Sequence, residues 1–290
     1  MVVADCVLDI RAKVGEGAVW DDRDQALWWV DIESPTLNRF EPATGANRAW
    51  TLPRRIGCFA PREAGGHVLA MHDGFFFFDT GSGRLEPIAD PEAHLPDNRF
   101  NDGAVDPRGR LVAGTMPMGP REPVAAIYRL WPGGRWDRLW GDMIVSNGMT
   151  FSPDGRIFYF ADTEQSRRTI WACDYDADSG ATGSRRVFVD THGRPGRPDG
   201  GTVDADGCYW MAGVGGWELV RFTPRGEVDR VIAMPVERPT KIAFGGSGLD
   251  TLYVTSIGTP QPDPQQPQAG GLFALRVPGV QGLPTWRFAG

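Results

Sequence analysis

The chain has 290 residues, 41% of them apolar, and a formal net charge of −7. That length allows one large domain or two small ones, with ample material for a core. The acidic balance argues against a nucleic-acid surface, no apolar run approaches the roughly 18 residues of a membrane-spanning helix, and residues 1–13 contain no secretory apolar region, so a soluble cytoplasmic protein with no nucleic-acid or membrane partner is expected.

Taken in order, the chain is a series of short runs rich in Val, Ile, Phe, Tyr and Trp, divided by Gly, Pro and Asp turns, which is an all-β pattern. A strand at residues 6–10 comes first. Then a unit begins at Glu16-Gly17-Ala18-Val19-Trp20-Asp21, and the same unit returns at Asn101, Asn147 and Asp199. In each, a small polar residue opens an apolar strand, a Gly-containing turn follows, and a second apolar strand begins. The second strands open at Leu27, Val68, Leu111, Ile157, Tyr209 and Leu252, spaced by 41, 43, 46, 52 and 43 residues. Third and fourth strands follow, the third near residues 37–40, 75–78, 127–130, 170–173, 219–222 and 272–275. Six units of four antiparallel strands predict a six-bladed β-propeller spanning residues 1–290 as one domain. The strand at residues 6–10 stands where a fourth strand would precede the first unit. It is expected to complete the sixth blade and close the ring, with residues 285–288 competing for that place or adding beside it. Closure removes the sheet edge that a linear array would expose.

Counting back from the second strands locates a site. Asn101, Asn147 and Asp199 each lie ten residues before their anchor, and Glu16 lies eleven before its own. Similar offsets place all four at the start of an innermost strand, facing the central channel; in the remaining two units the same offset gives Cys58 and Ile242. Carboxylates converging in a narrow channel raise one another's pKa, and a cation resolves the conflict. Glu16, Asp199 and an amide oxygen of Asn147 make an oxygen-only set for one divalent ion. Ca²⁺ is the first expectation, with Mg²⁺, Mn²⁺, Zn²⁺ or Fe²⁺ also admitted, although no His sits at this offset to favour a nitrogen site.

The second-to-third loops open on the same face and vary most in length, so they are expected to choose the substrate. Arg99 points there and suits a polar substrate. Trp217 and Met118 are candidates for an apolar wall, and His192, near the rim, for a catalytic role. Residues 174–180 resemble a calcium loop, but the Gly is one place late and position twelve is Arg185, so they read as a hairpin turn. Cys6, Cys58, Cys173 and Cys208 are widely spaced, and reduced thiols are expected.

The motifs Gly15-Glu16-Gly17, Arg99-Phe100-Asn101-Asp102-Gly103, Gly114-Thr115-Met116, Ser146-Asn147-Gly148-Met149, Ser152-Pro153-Asp154-Gly155 and Arg197-Pro198-Asp199-Gly200 resemble, in order, those of the SMP-30/gluconolactonase/regucalcin-like family. The resemblance implies a six-bladed propeller with one divalent metal in its channel and hydrolysis of sugar lactones. It implies Glu16, Asn147 and Asp199 as metal ligands, Arg99 and Asn101 as substrate contacts, Asp199 as proton donor or acceptor, and Glu122 as the acidic substrate residue on the loop after Gly-Thr-Met. The expected function is metal-dependent opening of an aldonolactone by a monomer, with Asn101 donating its amide to the lactone. A calcium-binding regulatory propeller without turnover, an interaction propeller, and an ester or phosphotriester hydrolase stay open on the residues alone.

Overall fold

The hairpins between first and second strands are held by carboxylates that accept backbone amides. Asp106 accepts from Arg108 and Arg110, both at 2.9 Å, and Asp204 from Asp206 and Cys208 at 3.1 and 3.0 Å. Such turns return the chain on itself. In the computed structural model, which describes residues 2–290, 24 strands form six four-stranded antiparallel sheets and no helix. The sheets are the blades of a six-bladed β-propeller. No helix of the described residues is long and apolar enough to cross a membrane.

The innermost strands are Gly15–Asp21, Ile56–Pro61, Asn98–Val105, Ser146–Phe151, Arg197–Val203 and Pro239–Gly245. Second strands such as Ala26–Asp31 and Leu111–Pro117 are buried along their whole length, because a neighbouring blade covers each face. The core therefore lies between blades: Trp28 and Val30 pack with Ile56, Phe59 and Leu69, and Trp210 and Leu219 with Ile242, Val254 and Phe273. Each such side chain contributes about 1.5–3 kcal/mol by leaving water. Outermost strands have water on one side, and Val187, Val228 and Val231 are exposed there.

The N-terminal strand Asp5–Leu8 pairs antiparallel with Leu272–Arg276, Cys6 opposite Phe273, and completes the sixth blade. The expected competition from residues 285–288 does not occur. That segment runs under the far end of the channel. Phe288 hydrogen-bonds Pro61 and Glu63 through its backbone, at 2.9 and 2.8 Å, and Arg287 pairs with Asp21. The tail thus straps blades one, two and three together, and it leaves the sixth blade's edge to the N-terminus. Residues 174–182 are a hairpin turn, with Tyr175 bridged to Thr182.

One irregularity repeats in all six inner strands. The register slips between Glu16 and Val19, Ile56 and Cys58, Phe100 and Gly103, Asn147 and Thr150, Pro198 and Gly201, and Pro239 and Ile242. Each slip is one extra residue, a β-bulge, which suspends the alternation of side chains and re-aims them. The bulge is what brings neighbouring positions of one strand into the channel together.

Candidate active site

The bulges correct the register read from the sequence. Asn101 and Asp199 are the first bulged residues of their strands, whereas Glu16 and Asn147 are the last paired residues before the bulge. The offset from the second strand differs because Ile157 lies one residue outside the ladder, which ends at Phe158. In blades two and six the corresponding first bulged residues are Gly57 and Thr240, rather than Cys58 and Ile242. Gly57 has to be small, since a Cβ there would stand 2.2 Å from the carbonyl oxygen of Phe100. Gly148 takes φ of 62°, the left-handed region that glycine enters without a steric cost.

Despite that one-residue spread, Glu16, Arg99, Asn101, Asn147 and Asp199 line a single cavity of about 190 Å³ at the mouth of the channel. The strand starts that carry two of them are clamped by a repeated device. Asp31 accepts the amides of Lys13 and Val14 at 2.9 and 3.0 Å, just ahead of Glu16. Asp162 accepts those of Ile144 and Val145 at 2.8 and 2.9 Å, just ahead of Asn147.

A directed hydrogen-bond chain fixes the amides. Arg99 Nη1 donates to Asn101 Oδ1 at 2.7 Å and to the Phe100 carbonyl at 2.8 Å. Asn101 Nδ2 donates to Asn147 Oδ1 and to the Ser146 carbonyl, both at 3.0 Å. Asn147 Nδ2 donates to Thr163 Oγ1 at 2.7 Å, and that hydroxyl donates to the Pro198 carbonyl at 2.6 Å. Because Arg99 can only donate, every later group has one allowed role. Asn147 therefore presents oxygen, not nitrogen, with a lone pair to spare. The same chain revises Asn101: both its N–H groups are committed to Ser146 and Asn147, so in this arrangement it orients Asn147 and has only Oδ1 to offer a substrate hydroxyl.

The acids are short of donors. Among the described residues no hydrogen bond reaches the carboxylate of Asp199, 6% exposed, and Glu16, 7% exposed, accepts only from Gly17 N at 2.7 Å. Burial first, then the charge of Asp102, pushes Glu16 up to about 7; the Gly17 amide, Lys241 and Arg99 pull it back. Burial, then the charges of Glu16 and Asp102, raises Asp199 well above the carboxylate range. Beneath them the second bulged residues of blades three and six form a floor that sequence reading missed. Lys241 Nζ donates to Asp102 Oδ1 and Oδ2 at 2.8 and 3.0 Å, and Met149 N donates to Asp102 Oδ2 at 3.1 Å. Below that floor residues 283–286 help line a second cavity, in which Lys241 is the only charged residue among those described.

Two buried, mutually repelling carboxylates and an amide held oxygen-inward are hard donors, and the set fits a divalent cation coordinated by oxygen. Glu16, Asp199 and Asn147 are the residues that would hold it.

Other residues fall elsewhere. Glu122 lines a separate hollow with His94, Leu95 and Asn98, outside the channel cavity; its neighbour Arg121 reaches the cavity instead. His192 is exposed and faces Asp190, Nδ1 to Oδ1 2.6 Å. Met118 is on the surface beside Arg55, and Trp217 is not part of the wall, which Val14, Ile32, Val145, Val214 and Ile257 supply. Thr163, Glu164 and Arg197 complete the lining. Thr163 and Glu164 open a second-to-third loop, the class of loop that the repeat assigns to this face.

The family described as SMP-30/Gluconolactonase/LRE-like region matches residues 14–258. A protein of Pseudomonas putida named 6-deoxy-6-sulfogluconolactonase is 36% identical over 288 residues, 98% of this chain and 98% of that protein. Regucalcin of Danio rerio is 34% identical over 295 residues, covering 100% of this chain and 99% of the relative. The structure of regucalcin from Agrobacterium tumefaciens, a calcium-binding protein, superposes with a TM-score of 0.92 at 30% identity, covering 99% of this chain and 97% of that one. By the profile match, by these relatives and by the motifs at the channel mouth, the chain belongs to the SMP-30/gluconolactonase/LRE-like family.

Proposed function

We propose that this protein is a sugar lactonase, a monomer that opens an aldonolactone to the aldonic acid with one divalent cation held by Glu16, Asn147 and Asp199. The observation that carries the reading is the pair of donor-poor buried acids, Glu16 and Asp199, set beside an oriented amide oxygen at the mouth of a polar cavity. Membership of a family that includes a named sugar lactonase supports it. A volume of about 190 Å³, below the roughly 300 Å³ at which drug-sized pockets begin, suits a single sugar ring better than an aryl ester or an oligomer.

A divalent ion bound there supplies Lewis acidity toward a carbonyl oxygen and toward water. The protein does the rest. Arg99, whose Nη2 and Nε have no partner among the described residues, binds substrate hydroxyls, and Asn101 Oδ1 accepts from another. The apolar wall from Val14 to Ile257 excludes bulk water, which strengthens each polar contact inside. Asp199 Oδ, made more basic by burial and then by the charges of Glu16 and Asp102, takes a proton from the attacking water and returns it to the ring oxygen as the bond opens.

The substrate class is tested by proton release in weakly buffered indicator, comparing aldonolactones with aryl esters and phosphotriesters. Acid production from aldonolactones in excess of spontaneous hydrolysis is expected. Turnover of the esters alone would move the reading to an ester hydrolase.

The raised acids also predict how stability responds to pH. Glu16 is about 7 in the folded protein against an ordinary 4.5. Below 4.5 it is protonated in both states and costs nothing. As pH climbs to 7 the unfolded chain ionises first, so the folded state loses on the order of 3 kcal/mol; Asp199 acts in the same direction. A cation offsets the penalty once both are charged. In thermal unfolding of chelator-treated protein, added Ca²⁺ therefore raises Tm more at pH 8 than at pH 5. An increment of Tm that is the same at both pH values contradicts the assignment of these two acids as ligands.

A further inference from the structure

Three guanidiniums ring the cavity mouth: Arg99, Arg121 and Arg197. Arg99 and Arg197 hold the same repeat position in two blades, each two residues before the first bulged residue, Asn101 or Asp199, while Arg121 comes from a second-to-third loop. Among the described residues no carboxylate pairs with Arg99 or Arg197. Arg121 has only Glu164, at 3.9 Å, and donates Nη1 to the Pro117 carbonyl at 3.1 Å. The other acids nearby are engaged. Glu33 holds Arg55 through two contacts of 2.9 and 2.8 Å, and Glu218 holds Arg194. Glu16 and Asp199 are neutralised by a divalent ion on the reading above. The mouth is then left with three fixed positive charges against one carboxylate, Glu164.

A neutral sugar gives no return for gathering like charges in a partly desolvated rim. Arg99 bears the cost of that burial: desolvation lowers its guanidinium to about 10, Glu33 and Glu16 oppose the shift, and Arg55 and Arg121 add to it. An anion relieves it. Guanidiniums recognise tetrahedral oxyanions through paired, charge-assisted N–H···O bonds.

The geometry points to an anion subsite: Arg121, Arg197 and the free edge of Arg99 hold a phosphate or sulfonate carried by the sugar lactone at the end away from its carbonyl. The carbonyl then lies at the acids in the cavity floor while the anion lies at the rim. This rests on the lactonase reading for its substrate, yet the subsite can be tested without turnover.

The test compares kcat/KM for glucono-lactone, 6-phosphogluconolactone and the 6-sulfo analogue in the wild type, Arg197→Gln and Arg121→Gln. Alongside, equilibrium titration with gluconate, 6-phosphogluconate and 6-sulfogluconate reads binding alone. The wild type prefers an anionic substrate. The ratio of anionic to neutral kcat/KM falls about 10- to 100-fold in Arg197→Gln, as expected for losing a charge-assisted contact, and falls in Arg121→Gln, an exposed loop position whose replacement spares the fold. The phosphate and sulfonate arms tell which oxyanion the rim prefers. A ratio near one in the wild type, or one unchanged in both variants, overturns the subsite. If no lactone is turned over, the lactonase reading fails by itself. The titration still decides the subsite: tighter binding of the 6-substituted acids than of gluconate, weakened in the variants, supports it, and equal binding overturns it.

Discussion

Asp199→Ala abolishes turnover, lowering kcat/KM on the aldonolactone at least about a thousandfold. The substitution removes a donor from the oxygen set and, with it, the only buried carboxylate at this site that no protein donor engages. Loss of activity alone would not separate a ligand from a residue needed for folding. Stability does. Among the described residues no hydrogen bond holds Asp199, and burial first, then the charge of Glu16, disfavours its ionised form, so removing its charge relieves the chelated protein. Asp199→Asn, which keeps the volume, is expected to unfold at a higher temperature than wild type at pH 8 in chelator, and to lose the increment of Tm that Ca²⁺ gives the wild type. A variant that keeps the wild-type rate with metal present sinks the role given to Asp199. A variant that is less stable without metal shows that the acid is a structural contact.

Lys241→Met costs the fold about 3–5 kcal/mol, the penalty of leaving one partner of a buried ion pair uncompensated. Asp102 is 2% exposed and Lys241 5% exposed, and the pair forms the floor under Glu16 and Asp199. Lys241 lowers the pKa of both acids, and Asp102 raises both. Deleting the lysine therefore strands Asp102 and adds to the repulsion above it. Neutralising both partners, as Asp102→Asn with Lys241→Met, recovers most of the loss, because a buried pair replaced by neutral groups of similar volume is close to neutral in stability. Denaturant unfolding of the single and double variants at pH 7.5 measures it. A single variant as stable as the wild type, or a double variant as unstable as the single, contradicts the account of the floor as an ion pair in a desolvated channel.

The blade count and ring closure were legible because each blade repeats a hydrophobic pattern that has to face a neighbouring blade. Leu27, Leu111 and Tyr209, each 0% exposed, could not be moved without exposing a strand. The cavity's two acids and the amide between them were legible because the repeat carries Glu16, Asn147 and Asp199 to one end of it. Their exact register was not, because a bulge adds a residue without leaving a mark on composition: Ile157 reads as the start of a strand ladder that begins at Phe158. The Asp102–Lys241 floor was hidden for a related reason. The two residues are 139 apart, and only the shared second bulge position makes them partners. Glu122 and Arg121 show where loop reading ends. A surface loop has no alternation to say which of two adjacent side chains turns inward, and the structure turns Arg121 toward the cavity. The tail at residues 285–288 has strand-like composition, yet its last residues find their partners at Pro61, Glu63 and Gly109, contacts that no local pattern announces.

The central claim is that Glu16, Asn147 and Asp199 hold a divalent ion that the hydrolysis requires. The most direct measurement is a titration of chelator-stripped protein with Ca²⁺, Mg²⁺, Mn²⁺, Zn²⁺ or Fe²⁺, following proton release from an aldonolactone. The account predicts no rate over spontaneous hydrolysis in the stripped protein, and activity that rises to saturation at one ion per chain. Full activity in chelator, with no response to any ion, would contradict it.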